Sequence, residues 1–177
     1  VIDPFTPNAR FDFDLLEKDS YLAQRLMDDL VELELEAISK ILQKIESDLE
    51  DFDVKSRELS LWIKIKNMCE TGRRTGLGAT GLGDVFAMLG LAYGSDESIA
   101  LTDKIYKTIA VSAWRSSIDL AEERGAFPDY DPTLESNHAF INKMLDAVGD
   151  EYKAKHAKFG RRNIAITMSS PAGSTSI

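Results

Sequence analysis

Apolar side chains recur at steps of three and four residues along much of the chain, a pattern that predicts amphipathic α-helices. The clearest stripe predicts a first helix of about seven turns. We expect these members to form its buried side: Leu22, Leu26, Leu30, Leu33, Ala37, Ile41 and Ile45. We expect the acidic side chains of the opposite face to meet water: Asp29, Glu32, Glu36 and Glu46. A second helix is predicted from about Val54 to Cys69, where the helical spacing is kept by Leu59, Trp62, Ile63 and Lys66.

Capping residues mark the helices further along the chain. Ser95 precedes two acidic residues, which predicts a helix that begins with Ser95 as its N-cap and ends at Gly125. Another helix is predicted over residues 131–147, and a short basic helix over residues 150–158. The sequence therefore predicts a mostly helical chain over residues 13–158.

The pattern changes near the end of the chain. Residues 164–168 read Ile-Ala-Ile-Thr-Met, a short β-type run between Gly160 and a turn-forming segment that holds Pro171 and Gly173. A single strand leaves its backbone N–H and C=O groups without partners. We therefore expect this strand to pair with residues outside the chain or with another copy of it. On this expectation the 177 residues are a piece of a larger α/β protein.

The net charge of −9 comes mostly from one segment. Residues 28–53 contain ten acidic residues and two lysines, so they carry eight of the nine negative charges. Such a run is typical of a solvated helix face. The alternative is an acidic surface that docks a partner protein, which would make the chain a non-enzymatic helical interaction module. The acidity argues against a protein that binds nucleic acid over its whole surface.

The single cysteine and the hydropathy of the chain indicate the cellular compartment in which the protein works. Cys69 cannot form an internal disulfide, which favours a reducing compartment. No apolar run approaches the roughly 20 residues that cross a bilayer, and no signal peptide is visible. We therefore expect a cytoplasmic protein with neither a membrane nor a nucleic acid as its partner.

Three other features suggest chemistry only weakly. Residues 76–81 match the dinucleotide-binding pattern G-x-G-x-x-G, but that pattern needs a preceding strand and here it follows a predicted helix. Small residues at this spacing also let two elements approach closely. Cys69 has no histidine near it in sequence and is typical of a small buried hydrophobic residue. His138 and His156 lack the spacing of a metal site, so we expect no metal.

The turn after the predicted strand is the strongest candidate for a binding site. Residues 171–176 read Pro-Ala-Gly-Ser-Thr-Ser, and a glycine-containing turn with three hydroxyls can direct N–H and O–H groups at one anion. Residues 153–162 carry five Lys or Arg and no acidic residue, which predicts a local positive field. An ordinary polar turn is the alternative.

Taken in order, these segments resemble the catalytic (large) subunit of ribonucleotide reductases. The resemblance is carried by GRRTGLGATGLGD at residues 72–84, by the linking stretches 93–97 and 122–128, and by RRNIA at residues 161–165 followed by SPAGSTS at residues 170–176. It covers nearly the whole chain. The form of the run at residues 72–84 is most similar to the adenosylcobalamin-dependent members.

This resemblance implies a fold class that is mostly α as the chain is cut: a helical portion plus one strand of the family's ten-stranded α/β barrel. Residues 1–177 are then a fragment of one catalytic barrel domain, with helices over 13–158 and the strand and phosphate turn over 162–177. The implied activity is that of an oxidoreductase of deoxyribonucleotide biosynthesis, and hence of DNA replication. It replaces the ribose 2′-hydroxyl by hydrogen through a protein thiyl radical. We expect a homo-oligomer in which the rest of the catalytic barrel completes the fold.

The resemblance also assigns substrate-phosphate binding, for a ribonucleoside di- or triphosphate, to Ala172, Gly173, Ser174, Thr175 and Ser176. The family often has Thr where this chain has Ala172, so we expect backbone N–H groups to be the main donors there. The family's Asn-x-Cys-x-Glu loop, which bears the radical cysteine, is absent, as is a second cysteine. Cys69 therefore does not take the catalytic role, and we expect the chain to be inactive alone. Adenosylcobalamin is an expectation for the parent enzyme, with none bound by this segment alone.

Overall fold

A computed structural model describes residues 1–169 of the chain. The seven helices within these residues are α1 (Phe13–Ser47), α2 (Phe52–Gly72), α3 (Leu82–Leu89), α4 (Asp96–Arg124), α5 (Pro132–Ser136), α6 (Ala139–Val148) and α7 (Asp150–Phe159). The mostly helical class is therefore confirmed. No helix in this part of the chain is long and apolar enough to cross a membrane.

Helix α4 lies at the centre of the fold. Helix α1 packs along α4 and also against α2, while α6 and α7 pack on other parts of α4. The main apolar core joins α4, α6 and the end of the described chain, and its members are Ala113, Trp114, Ile118, Ile141, Met144, Leu145, Val148 and Ile166. Because Ile166 belongs to this core, the predicted strand segment is fixed against the helices.

Both ends of α4 follow the capping signals in the sequence. The Ser95 hydroxyl accepts a hydrogen bond from the N–H of Ser98 at 3.2 Å. Gly125 ends the helix with a φ of 86°, and its N–H donates to the carbonyl of Ala121. The predicted helix between Ser95 and Gly125 is therefore confirmed, since each end is decided by residues next to it in sequence.

The helix predicted over residues 131–147 is interrupted. Helix α5 ends at Ser136 and α6 begins at Ala139. Between them, the side-chain amide of Asn137 donates to the carbonyl of Thr133 at 3.0 Å, which is the carbonyl that the N–H of residue 137 would use in a continuous helix. A side chain thus replaces the backbone donor and favours a break at this point. The prediction of one continuous helix is wrong for this reason.

The apolar stripe predicted to bury α1 faces outward over most of its length. Four of its members are between 47% and 65% exposed: Leu22, Leu26, Leu30 and Leu33. Gln24 and Asp28, by contrast, are fully buried, and Ile45 is buried as predicted. The predicted buried side is therefore wrong from Leu22 to Ala37, which is also exposed. The cause is a set of polar partners from distant parts of the chain, which hold Gln24 and Asp28 on the inner side.

The strand predicted at residues 164–168 is an extended segment that pairs with residues 72–77 of the same chain. A parallel bridge links Thr167 to Leu77, whose carbonyl accepts a hydrogen bond from the N–H of Met168 at 3.0 Å. Within residues 1–169 the pairing does not extend to a regular strand. The expectation of a partner only outside the chain is therefore wrong, because the glycine-rich run after α2 supplies one.

Candidate functional site

The residues assigned to the phosphate turn, 172–176, lie outside the residues that the structure describes. The structure does show residues 161–169, which lead into that turn and are called the approach segment here. On one side the approach segment pairs with the glycine-rich run, and on the other it contacts α4, where the N–H of Arg162 donates to the carbonyl of Ser117 at 2.9 Å. The approach segment is therefore held on both sides up to Met168, three residues before Pro171.

Hydrogen bonds from Thr75 fix one side of the approach segment. Its N–H donates to the carbonyl of Ala165 at 3.0 Å, and its hydroxyl donates to the same carbonyl at 2.9 Å. The hydroxyl in turn accepts a hydrogen bond from the side chain of Gln24 in α1 at 3.0 Å. Next to this pair, the N–H of Ile164 donates to the carbonyl of Gly72 at 3.1 Å. Helix α1 thus helps to hold a segment that is remote from it in sequence.

Asn163 joins the approach segment to three other parts of the chain. Its side chain is fully buried, and its amide nitrogen donates to the Asp28 carboxylate at 3.0 Å and to the carbonyl of Arg73 at 3.1 Å. Its side-chain oxygen accepts hydrogen bonds from Gln24 at 3.0 Å and from the Ser117 hydroxyl at 2.9 Å. Every donor and acceptor of the amide group is used, so its orientation is fixed. The sequence analysis quoted Asn163 in a motif but did not assign it this role.

Asp28 is a fully buried carboxylate surrounded by three guanidinium groups. Its Oδ1 lies 2.8 Å from Arg73 Nη2, and its Oδ2 lies 3.0 Å from Arg124 Nη1 and 3.4 Å from Arg162 Nε. Burial alone raises the pKa of Asp28, but the hydrogen bond from Arg73 and the charges of Arg73 and Arg162 outweigh burial and lower it. Two half-exposed carboxylates of α1 complete this Asp28 cluster: Asp29 and Glu32.

A second buried ion pair holds the start of the approach segment. Nη2 of Arg161 lies 2.6 Å from Oε1 of Glu135, and the guanidinium group lies 4.9 Å from the ring centroid of Trp114. Burial alone raises the pKa of Glu135, but the nearby His156 and the hydrogen bonds and charge of Arg161 outweigh burial and lower the pKa to about 2. Arg161 therefore links the approach segment to α5 through a carboxylate that stays charged at neutral pH.

The positive field predicted for residues 153–162 is largely neutralised. Four of the five basic residues pair with carboxylates: Lys153 with Asp146, Lys155 with Asp119 and Glu122, Arg161 with Glu135, and Arg162 with Asp28. Because these charges are balanced within the chain, the expectation of a free positive field is wrong. An anion bound at the turn would depend mainly on backbone N–H and hydroxyl groups.

Comparison with known families identifies the chain. A family model described as "Ribonucleotide reductase, barrel domain" matches residues 1–177. The chain belongs to this family. Its membership explains why the ordered motifs at residues 72–84 and 161–176 resemble a ribonucleotide reductase, and it confirms the family predicted from them.

Named ribonucleotide reductases show how much of a whole protein the chain represents. The vitamin B12-dependent ribonucleoside-diphosphate reductase of Mycobacterium tuberculosis (strain CDC 1551 / Oshkosh) is 26% identical over 170 residues, which are 96% of this chain and 18% of that protein. The ribonucleoside-diphosphate reductase large subunit of Plasmodium falciparum (isolate Dd2) is 34% identical over 113 residues, 59% of this chain and 14% of that protein. The large subunit of African swine fever virus (isolate Tick/South Africa/Pretoriuskop Pr4/1996) is 43% identical over 58 residues, 33% of this chain and 8% of that protein. The chain thus spans less than a fifth of the length of these relatives.

Two of the weaker sequence motifs have structural explanations. Residues 76–81 follow α2, which ends at Gly72 with Arg73 in the left-handed region at a φ of 44°. The strand that a dinucleotide-binding loop requires is therefore missing before this run. Cys69 lies near the end of α2 and is partly buried, and burial raises the pKa of its thiol. A raised pKa disfavours the reactive thiolate, as expected for a structural cysteine.

The two histidines of the described residues lie in different surroundings. His138 is exposed at the N-cap position of α6, and Nε2 of the buried His156 lies 3.5 Å from Oε2 of Glu135. Over residues 1–169 no group of three or more His, Cys, Asp or Glu side chains could hold a metal ion.

Proposed function

We propose that the chain is part of a ribonucleotide reductase catalytic subunit that reduces ribonucleoside di- or triphosphates to deoxyribonucleotides. The match of the barrel-domain family to the whole chain and the names of its relatives support this activity. In the reaction the ribose 2′-hydroxyl leaves as water and hydrogen takes its place, with two electrons supplied by a pair of thiols. A single cysteine cannot supply a thiol pair, and Cys69 lacks the Asn-x-Cys-x-Glu context of the radical cysteine, so we assign both the thiyl radical and the thiol pair to other parts of the protein.

Within that enzyme, we assign the binding of substrate phosphates to residues 172–176. The observation that carries this proposal is the fixed approach segment, in which Asn163, eight residues before Pro171, is connected to α1, to α4 and to Arg73. Backbone N–H groups bind an anion well only when the chain that carries them is fixed in advance. The neutralised basic side chains nearby support the same view, since they leave the backbone and the hydroxyls of Ser174, Thr175 and Ser176 as donors.

The remaining partners belong to the whole protein. The name of the mycobacterial relative supports adenosylcobalamin as the radical source of the whole enzyme. The outward-facing leucines of α1 support contact with another part of the catalytic barrel, since apolar side chains in a row are typical of a covered surface. We also propose a homo-oligomeric, cytoplasmic enzyme.

The phosphate assignment is tested by Gly173→Val in the full-length protein. A side chain at this position would block the approach of a phosphate to the backbone, and losing one charge-assisted hydrogen bond costs about 1.5–3 kcal/mol. The KM for the nucleotide should therefore rise about ten- to hundred-fold. Steady-state kinetics with ADP and with ATP measure this and also show which of the two is reduced.

Gly83→Val is the matched control for this experiment. Gly83 lies in α3, is exposed, and a Cβ built there meets no atom within 4 Å. Its KM should stay within about two-fold of the wild-type value. An unchanged KM in Gly173→Val, with both variants folded, would contradict the proposed role of the turn.

A further inference from the structure

Two glycines of the run after α2 lie directly against the approach segment. A Cβ built at Gly78 would lie 2.8 Å from the carbonyl oxygen of Met168. A Cβ built at Gly76 would collide with Met168 Sδ and would lie 2.8 Å from its Cγ. Each of these positions therefore excludes any side chain while Met168 stays where it is.

Space, and not backbone conformation, is what requires glycine here. Neither Gly76 nor Gly78 has a positive φ, whereas Gly81 in the same run has a φ of 80°. An L-residue could therefore adopt the backbone of positions 76 and 78 without strain. What it could not do is leave room for Met168.

The contact is reinforced by the residue between the two glycines. The N–H of Leu77 donates to the carbonyl of Ile166 at 2.9 Å, and its carbonyl accepts from the N–H of Met168 at 3.0 Å. Residues 76–78 thus hold residues 166–168 by two hydrogen bonds of Leu77, one to Ile166 and one to Met168, and they contact both the side chain and the carbonyl oxygen of Met168. Met168 is three residues before Pro171 in sequence.

We propose that Gly76 and Gly78 are positioning residues for substrate-phosphate binding. They allow the backbone at Met168 to approach the glycine-rich run closely, and this approach fixes the last described residues before the segment to which phosphate binding is assigned. The inference rests on the phosphate role proposed above for that turn. It also gives the G-x-G part of the motif a function in nucleotide reduction that differs from dinucleotide binding.

A side chain would meet a different part of Met168 at each of the two glycine positions, and the experiment uses this difference. At Gly78 the obstacle is a backbone oxygen, which has to retreat by about 0.6 Å from 2.8 Å to reach the ordinary contact distance of 3.4 Å. At Gly76 the obstacle is the far end of the Met168 side chain, whose Cβ lies at an ordinary 3.5 Å. Shortening Met168 to alanine therefore removes the second obstacle and leaves the first.

The test uses five variants of the full-length protein and measures KM and kcat with ADP and ATP. The variants are Gly76→Ala, Gly78→Ala, Met168→Ala and the two double variants that combine each glycine change with Met168→Ala. Displacing a catalytic or binding group by a fraction of an ångström to one ångström costs about ten- to hundred-fold in rate or affinity. We expect Gly78→Ala to raise KM about ten-fold with or without Met168→Ala, and Gly76→Ala to raise KM only while Met168 is present.

A purely structural role gives a different result. A variant that is only less stable loses active enzyme, which lowers the apparent kcat and leaves KM unchanged. Gly83→Ala, in the exposed first turn of α3, is the control for the change from glycine to alanine, and we expect its KM to be that of the wild type. If Gly78→Ala does not fold, the rescue of Gly76→Ala by Met168→Ala still decides the question.

The outcomes separate this inference from the proposed function. If Gly173→Val raises KM while Gly78→Ala and Gly76→Ala behave like Gly83→Ala, the turn binds phosphate and the positioning role is refuted. If Gly173→Val leaves KM unchanged, the phosphate role itself fails. A failure of Met168→Ala to restore the KM of Gly76→Ala would also overturn the mechanism, because it would show that Met168 is not the obstacle.

Discussion

Removing the Asp28 carboxylate should loosen the approach segment more than any other single change in α1. In Asp28→Ala, the side chain of Arg73, which is only 4% exposed, keeps Glu32 at 2.8 Å as a partner and loses its buried one. Arg162 loses its contact with Asp28, and the amide of Asn163 loses one acceptor. The Asp28 cluster then has three guanidinium groups and only two carboxylates, so it is no longer neutral.

The size of the effect follows from these losses. Removing one partner of a buried ion pair lowers the free energy of unfolding by about 3–5 kcal/mol. The remaining pair between Arg73 and Glu32 places this case near the lower limit, and the unsatisfied amide of Asn163 adds about 1 kcal/mol. We therefore expect the free energy of local opening around residues 161–169 to fall by about 3–4 kcal/mol, which is a hundred-fold or greater change in the opening equilibrium.

Native-state hydrogen exchange of the full-length protein measures this quantity directly. Peptides that cover residues 161–169 should exchange at least about a hundred-fold faster in Asp28→Ala than in the wild type. Asp29→Ala is the control, because Asp29 is half-exposed and its pair with Arg124 is worth at most about 1 kcal/mol. If both variants accelerate exchange equally, or if neither does, the Asp28 cluster does not hold the approach segment.

Two further changes test individual contacts. The pKa of Glu135 is lowered to about 2, so its pair with Arg161 stabilises the fold above pH 4.5 and is lost as the pH falls towards 2. Glu135→Gln should therefore lower the melting temperature at pH 7, with a difference from wild type that shrinks below pH 4.5; a constant difference would contradict this. Tyr21→Phe removes a 2.8 Å hydrogen bond to Asp119; burial, together with this hydrogen bond, raises the pKa of Tyr21 to about 12. Because Lys155 still pairs with Asp119 at 2.7 Å, the free energy of unfolding, measured by thermal denaturation, should fall by only about 1 kcal/mol.

The helix boundaries that the sequence predicted correctly depend on neighbouring residues. The ends of α4 are decided by Ser95 and Gly125, whose capping behaviour does not need the rest of the fold. The break between α5 and α6 was missed because it depends on the rotamer of Asn137, and asparagine in a helical pattern gives no unique signal. A helix end was therefore predictable where the residues next to it favour a single backbone structure.

The buried side of α1 was not predictable in the same way. Leucines at helical spacing normally indicate the core, but Gln24 and Asp28 face it because Thr75, Asn163 and Arg73 lie there to bind them. These partners are 45 to 139 residues away in sequence. A signal did exist, since glutamine and aspartate four residues apart define a polar side of the helix, but a single sequence does not say that this side is buried.

The same polar contacts explain why charged residues next to the proposed phosphate turn are balanced within the chain. Free arginines at positions 161 and 162 would attract an anion but would not fix the backbone that binds it. Paired with Glu135 and Asp28, they instead resist displacement, because any shift of the approach segment breaks several buried hydrogen bonds at once. A site that depends on backbone N–H groups for its donors gains more from such a fixed support than from additional positive charge.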